Sequence, residues 1–317
     1  MFKIGSRTIK TAIGAPISIV IAHALSLDNA ISAAILTILC IQVTRQRSIQ
    51  SAWYRFYACL VAIAVSGLLF ELLGYHPLVF GFVLIVFIPI TVRLGITEGV
   101  VTSSVIMLHI YGAAHLTIGL VINEIVLLTV GLGVALLLNM YMPSLDSELV
   151  KIRNKIEDNF AIILQEIADY LKTGDYHWSG QEITETAQLL EEANQLASRD
   201  VENHLLRRHH PFYHYFHMRE KQFDILEQML PLISRMNASE NEYRYIGQLF
   251  EDLATHVHPG NTAVKYLEEL KEIRRQFNNE PLPHDRETFE DRANLYLLLN
   301  EIEQYLILKR SFKKSDI

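Results

Sequence analysis

Charge is divided along this chain more sharply than any other property, and the division limits what it can fold into. Residues 1–142 carry 7 Lys/Arg and 4 Asp/Glu, a net charge of +3. Residues 143–317 carry the other 21 Lys/Arg and 31 Asp/Glu, a net charge of −10. The mean hydropathy of the whole, +0.19, is therefore an average over an apolar membrane sequence and a water-soluble one. The reading is two domains, 1–142 and 143–317. The chain has two Cys, Cys40 and Cys59, both inside apolar runs, which excludes a secreted disulfide scaffold. An acidic soluble half repels phosphates, which argues against nucleic-acid partners.

A helix needs roughly 20 apolar residues to cross about 30 Å of hydrocarbon. Six runs qualify as candidates: 8–25, 29–44, 56–73, 77–94, 98–112 and 116–140. The second and fifth are short. With six spans, one face collects Lys3, Arg7, Lys10, Arg45, Arg47, Arg55, Arg93, Lys151, Arg153 and Lys155, while the other holds Asp28 and Glu71 and no Lys or Arg. That bias puts both termini, and with them the soluble half, in the cytoplasm of a multi-pass plasma-membrane protein.

Small residues recur at helix-packing spacing: Ala58, Ala62 and Ser66 with Gly67, then Gly95 and Gly99, then Gly131 and Gly133. They predict close helix approach, within the chain first and between copies second. Pro16 and Pro89 fall inside the first and fourth runs, where each predicts a kink or a wet, lined cavity.

Glu124 is the sharpest single residue. A carboxylate among apolar neighbours is costly unless paired, neutralised or wet, and a proton carrier uses that cost. The competing reading starts the sixth span near Asn123 and leaves Glu124 interfacial. His23 and His109 lie near the outer ends of the first and fifth runs, where histidine can relay protons or simply sit in the interface. Arg93 and Glu98 bracket an inner turn and can pair. Arg45, Arg47 and Arg55 form a basic loop after the second run. They serve orientation, capture of an anion at the inner mouth, or contact with lipid headgroups.

The soluble half reads as six helices joined by short loops, an antiparallel bundle. Leu149, Ile152, Ile156, Phe160, Ile163, Ile167 and Tyr170 make one face of a long helix ending at Gly174. Ser179 with Glu182, and Ser239 with Glu242, read as capping boxes. Pro211 suits a first helical turn, Pro231 a bend, Pro259-Gly260 a break and Asn261 a cap. His210, His214 and His217 are spaced like metal ligands on a helix, but no Cys accompanies them; an aromatic–histidine patch is the stronger reading, so no metal is assigned. There is no phosphate-cradling loop, nucleophile elbow or paired-carboxylate motif, so neither an enzyme nor a resident cofactor is expected, and transport would not run on this chain's own ATP hydrolysis.

The stretch Ala30-Ile-Ser-Ala-Ala-Ile-Leu-Thr-Ile-Leu-Cys-Ile-Gln42-Val-Thr-Arg45 resembles the second-span signature of the aromatic acid exporter family. So does Arg55 opening a small-residue-rich third span that ends in Leu73-Gly74-Tyr75-His76-Pro77. The soluble half is similar to the C-terminal domain of Gram-positive members. Ala58, Ala62 and Ser66 stand where many relatives are Gly-rich. The resemblance implies an all-α protein: a six-helix transmembrane unit followed by a cytoplasmic antiparallel helical bundle. It implies efflux of aromatic carboxylates driven by the proton gradient. Charge placement, not the resemblance, then makes Arg45, Arg47 and Arg55 the candidates to attract the anion and Glu124, helped by His23 or His109, the candidate to carry the proton. One membrane unit per chain implies a homodimer. Two alternatives stand beside this: a passive anion channel like the plant malate channels, and a non-transporting membrane-tethered scaffold or sensor.

Overall fold

The computed structural model describes residues 5–174, 177–204, 210–236, 241–258, 263–279 and 281–312, excluding the side chains of 241, 242 and 287. Among these residues the chain is all-helical, with twelve α-helices and one 3₁₀ turn. It divides into two compact units, Met1–Pro143 with Glu202–Leu205, and Ser144–Val201 with Leu206–Ile317.

The first unit holds α1 (Ser6–Ala24), α2 (Ser32–Cys40), α3 (Arg45–Leu73), α4 (Pro77–Leu94), the 3₁₀ turn Thr97–Gly99, α5 (Val100–Ala113) and α6 (Ile118–Met140). Three of them, α3, α4 and α6, are long and apolar enough to cross a membrane. Leu68, Leu72, Ile85, Val92, Ile122 and Leu137 point outward and stay exposed. An apolar exterior of this kind marks a lipid-facing surface. Pro16 and Pro89 lie inside α1 and α4.

Two sequence expectations change here. The run 29–44 is helical only over nine residues. Ser26 and Asn29 take left-handed backbone (φ 55° and 56°), which delays the start of α2, and Ile41 is extended (φ −72°, ψ 112°), which ends it. At 1.5 Å per residue α2 is about 14 Å long, half a bilayer core. The basic segment after it is not a loop, and Arg55 lies inside α3 rather than at its start. Thr44 caps α3 by accepting from the Arg47 N–H, so the helix starts at Arg45 and runs for 29 residues. Ser48, Ser51, Ala52 and Arg55 then fall on a buried face.

The small-residue stripe is an internal packing surface. Ala58, Ala62 and Ser66 have no exposed surface. A Cβ on Gly99 would lie 2.2 Å from the Ala58 Cβ and 3.1 Å from the Tyr54 carbonyl oxygen. Gly99→Ala is therefore expected to destabilise the protein by about 1–3 kcal/mol through overpacking. Gly133→Ala meets nothing within 4 Å and is expected to be neutral or slightly stabilising. Thermal midpoints of the two variants in detergent check this; equal midpoints would contradict it.

The second unit is built from α7 (Asp146–Thr173), most of α8 (Gln181–Asn203), α9 (Pro211–Ile233), α10 (Asn241–Ala254), α11 (Val264–Asn278) and α12 (Arg286–Ser311). The stripe from Leu149 to Ile167 is buried as its period requires, with α7 against α10 and α9 against α12. Gly174 ends α7 in left-handed backbone (φ 75°), and Pro211 opens α9. The Ser179–Glu182 capping box does not form. The Ser179 hydroxyl accepts from the Gln181 N–H two residues on (3.4 Å), and the Trp178 indole N–H takes the Glu182 carboxylate (2.6 Å). The expected Ser239–Glu242 box, the Pro259-Gly260 break and the Asn261 cap lie outside the described residues.

Lys309 sits in this core at 4 % exposure, donating to the His256 carbonyl at 2.6 Å. Burial, then repulsion from Arg219, outweigh the attraction of Glu157 and hold its ammonium down at about 7. The unfolded chain, with an ordinary lysine near 10.5, binds more protons than the folded one between these values. Stability of this unit therefore rises with pH from about 7 upward and falls as Lys309 becomes charged. Tyr215 and Tyr305 are pushed upward by burial and stay neutral through the window. Hydrogen exchange of α9 and α12 is expected to slow from pH 7 to pH 9 beyond the intrinsic rate correction. The slope per unit approaches about 1.4 kcal/mol and disappears in Lys309→Met. An unchanged slope in that variant would contradict the assignment.

Candidate functional site

Thr117 caps α6 by accepting from the Leu120 N–H at 3.1 Å, which starts the helix at Ile118 and places Glu124 in its second turn. Glu124 is enclosed by protein, and its side chain has no exposed surface. His109 on α5 meets it, Nδ1 to Oε2, at 2.9 Å. The other ring nitrogen, Nε2, lies 2.9 Å from the Ser32 hydroxyl at the start of α2. The Asn123 amide donates to Glu124 Oε1 at 3.3 Å and also holds the Asp28 backbone, accepting from its N–H and donating to its carbonyl.

Three helices thus contribute to one carboxylate–imidazole–hydroxyl line. With the imidazole neutral, Nδ1–H donates to Glu124 and Nε2 accepts from Ser32. With it charged, both nitrogens donate. The line can hold one exchangeable proton on either member without losing its hydrogen bonds. Of the three residues predicted for proton coupling, the structure brings Glu124 and His109 together. His23 is exposed on α1 and outside this line. Ser32 and Asn123 were not singled out from sequence. Asn123 adjoins Glu124 and could have been; Ser32 is 77 residues from His109, and only the fold joins them.

The three arginines predicted to attract an anion separate. Arg47 is exposed (67 %) and pairs with Glu202 at 3.0 Å inside the first unit. Arg55 is 8 % exposed; its Nε donates to Ser51 at 3.1 Å, and its Nη1 has no hydrogen-bond partner. Arg45 is half-buried, with its Nε also unpartnered. Lys10, read from sequence only as an orientation charge, is 9 % exposed. Arg93 and Glu98 are both exposed, and no ion pair joins them among the described residues.

His210 stands at the N-cap of α9, while His214 and His217 are exposed, His217 lying 3.5 Å from Glu220. Among the described residues no group of three His, Cys, Asp or Glu is placed to hold a metal ion.

Comparison with known proteins matches residues 2–142 to the family model "Aromatic acid exporter family member 1" and residues 146–310 to "Putative aromatic acid exporter C-terminal domain". "Uncharacterized protein YqjA" of Bacillus subtilis (strain 168) is 55% identical over 313 residues, 99% of this chain and 97% of the relative. A solved structure titled "Crystal structure of putative membrane protein from Clostridium difficile 630" is similar at 24% identity and a TM-score of 0.46, covering 51% of this chain and 97% of that one. With both parts matched, on a chain carrying three helices fit to cross a membrane, this is a membrane protein that belongs to the aromatic acid exporter family.

Proposed function

We propose that the chain is a secondary exporter of small organic anions, aromatic carboxylates above all, in the plasma membrane, with inward proton movement driving outward anion movement. The carrying observation is the Glu124–His109 pair, a fully buried carboxylate 2.9 Å from an imidazole inside an apolar helical unit. An intramembrane carboxylate is expensive and is retained where protons or ions move. An imidazole hydrogen-bonded to it can share a proton with it or pass one on, which makes the pair a chemically competent proton site. Arg45 and Arg55 attract the anion from the cytoplasmic side. Exposed Arg47, engaged with Glu202, has the lesser role.

In this reading residues 1–142 form a six-span membrane domain and residues 143–317 a cytoplasmic antiparallel bundle, with both termini cytoplasmic. The family-model limits and the division into units near residue 143 support that boundary. The short α2 is followed by the non-helical residues 41–44, extended at Ile41 and bent at Val43 and Thr44, which carry the chain on to α3. Within this segment Ile41 and Thr44 are buried at 0% and 1% exposure, while Val43 is 48% exposed. One membrane domain per chain fits a homodimer.

The test is flux of p-hydroxybenzoate in proteoliposomes under a pH gradient and, separately, a voltage. Uphill movement driven by the pH gradient is expected. Movement set by voltage alone would replace the exporter with a channel. No movement through folded protein would leave the scaffold reading.

A further inference from the structure

The first unit buries more positive charge than it neutralises. Lys10 and Arg55 are 9 % and 8 % exposed. Lys10 Nζ reaches only neutral atoms, Asn139 Oδ1 at 3.4 Å and Met142 Sδ at 3.2 Å. Arg45 is close enough to repel it. Asn139 is itself fixed, donating to the Ser48 hydroxyl at 2.7 Å and the Cys40 carbonyl at 3.5 Å. Arg45 Nε and Arg55 Nη1 are buried donors with no partner. Among the described residues, no carboxylate lies within ion-pair distance of Lys10, Arg45 or Arg55. The field of Glu98 reaches the same region, acting with Arg55 on Cys40, but Glu98 is exposed.

Buried charge without a counter-charge is strongly unfavourable, and buried donors without acceptors add to that cost. A bound anion removes both. Arg45, Ser48, Ala52 and Arg55 step by three or four residues and share one face of α3. The two arginines are ten positions apart, about 15 Å along the axis, which makes two sites rather than one.

We propose that Lys10, positioned by Asn139 and Ser48 and flanked by Arg45, seats the carboxylate of the transported anion, and that Arg55 receives it next along the same face of α3. The proposal rests on the exporter reading in taking an aromatic carboxylate as the ligand. A lipid phosphate would satisfy the same cations, so the test must separate the two.

Benzoate binding is measured by calorimetry on the full-length protein in zwitterionic nanodiscs, without any gradient. The unaltered protein is expected to bind, and Lys10→Gln to weaken binding at least about tenfold. Lys10→Arg keeps the charge and retains most of the affinity. Asn139→Asp sets a carboxylate against Lys10 and gives up the donation to the Cys40 carbonyl, so it should cut affinity at least about tenfold while circular dichroism shows the helical content unchanged. Failure of the unaltered protein to bind benzoate overturns the seat, as does unchanged affinity in Lys10→Gln and Asn139→Asp. Stabilisation by anionic phosphatidylglycerol that needs Lys10, with no benzoate binding, assigns the cations to a headgroup and overturns it too. Because no gradient is applied, absence of uphill transport would sink the exporter reading and leave this result standing.

Discussion

Glu124→Gln is expected to reduce proton-driven anion flux to the level of protein-free vesicles while the protein remains folded. Gln is nearly isosteric, and His109 Nδ1–H can still donate to its amide oxygen across the 2.9 Å contact. A charge-assisted hydrogen bond becomes a neutral one, a loss of about 1 kcal/mol, part of which returns because no carboxylate is now buried. What disappears is the proton site. Benzoate affinity should be almost unchanged, because the cations of the inner seat lie on other residues. Ser32→Ala should give an intermediate phenotype, since it removes only the partner of His109 Nε2. Flux assays beside calorimetry on the same preparation check this. Wild-type uphill flux in Glu124→Gln would remove the carboxylate from the mechanism.

Arg219→Met is expected to cost the second unit about 3–5 kcal/mol, the largest stability loss of any single change considered. Arg219 has no exposed surface. Its Nε donates to the Tyr215 hydroxyl at 2.8 Å, Nη1 to Gln222 at 3.0 Å and Nη2 to the Val257 carbonyl, with Glu157 at 3.8 Å. The guanidinium also lies over the Phe160 and Tyr215 rings, at 5.1 and 5.3 Å. Methionine fills much of the volume but strands the Val257 carbonyl and the Gln222 amide oxygen and takes the counter-charge from Glu157, which keeps only the Tyr215 hydroxyl. Arg219→Lys should recover little, because a single ammonium cannot serve three directions at once. Denaturant unfolding followed by hydrogen exchange in α9 and α12 measures the loss. A loss under about 1 kcal/mol would mean that water replaces the guanidinium at little cost.

Much of this architecture is written in local pattern. The step from Leu149 to Ile167 specifies α7, Gly174 its end and Pro211 the start of α9. Glu124 stood out because a charge among apolar residues has few cheap explanations. The errors come from signals that are not local. Ser26, Asp28 and Asn29 are turn-forming residues, and Asn tolerates left-handed backbone, but the apolar run that follows masks how far they delay α2. The basic residues after Thr44 read as a loop, and the first turns of α3, with Thr44 as their cap, emerge only in the fold. Those residues then looked like one positive mouth, whereas helical geometry buries Arg55 and turns Arg47 outward to Glu202. Lys10 was hidden by its usefulness as an orientation charge. Its meeting with Asn139, 129 residues away, exists only in the fold.

The central claim is that anion exit is coupled to proton entry. Lumenal pH in vesicles answers it most directly. Protein oriented with its cytoplasmic face inward is loaded with p-hydroxybenzoate at equal internal and external pH, with voltage clamped by potassium and valinomycin. Exchange predicts that the lumen acidifies as the anion leaves, in proportion to efflux, and that Glu124→Gln abolishes both. Passive escape of the protonated acid has the opposite sign and alkalinises the lumen, as protein-free vesicles will show. Efflux through the protein with no change in lumenal pH would contradict coupling and identify a conducting pore.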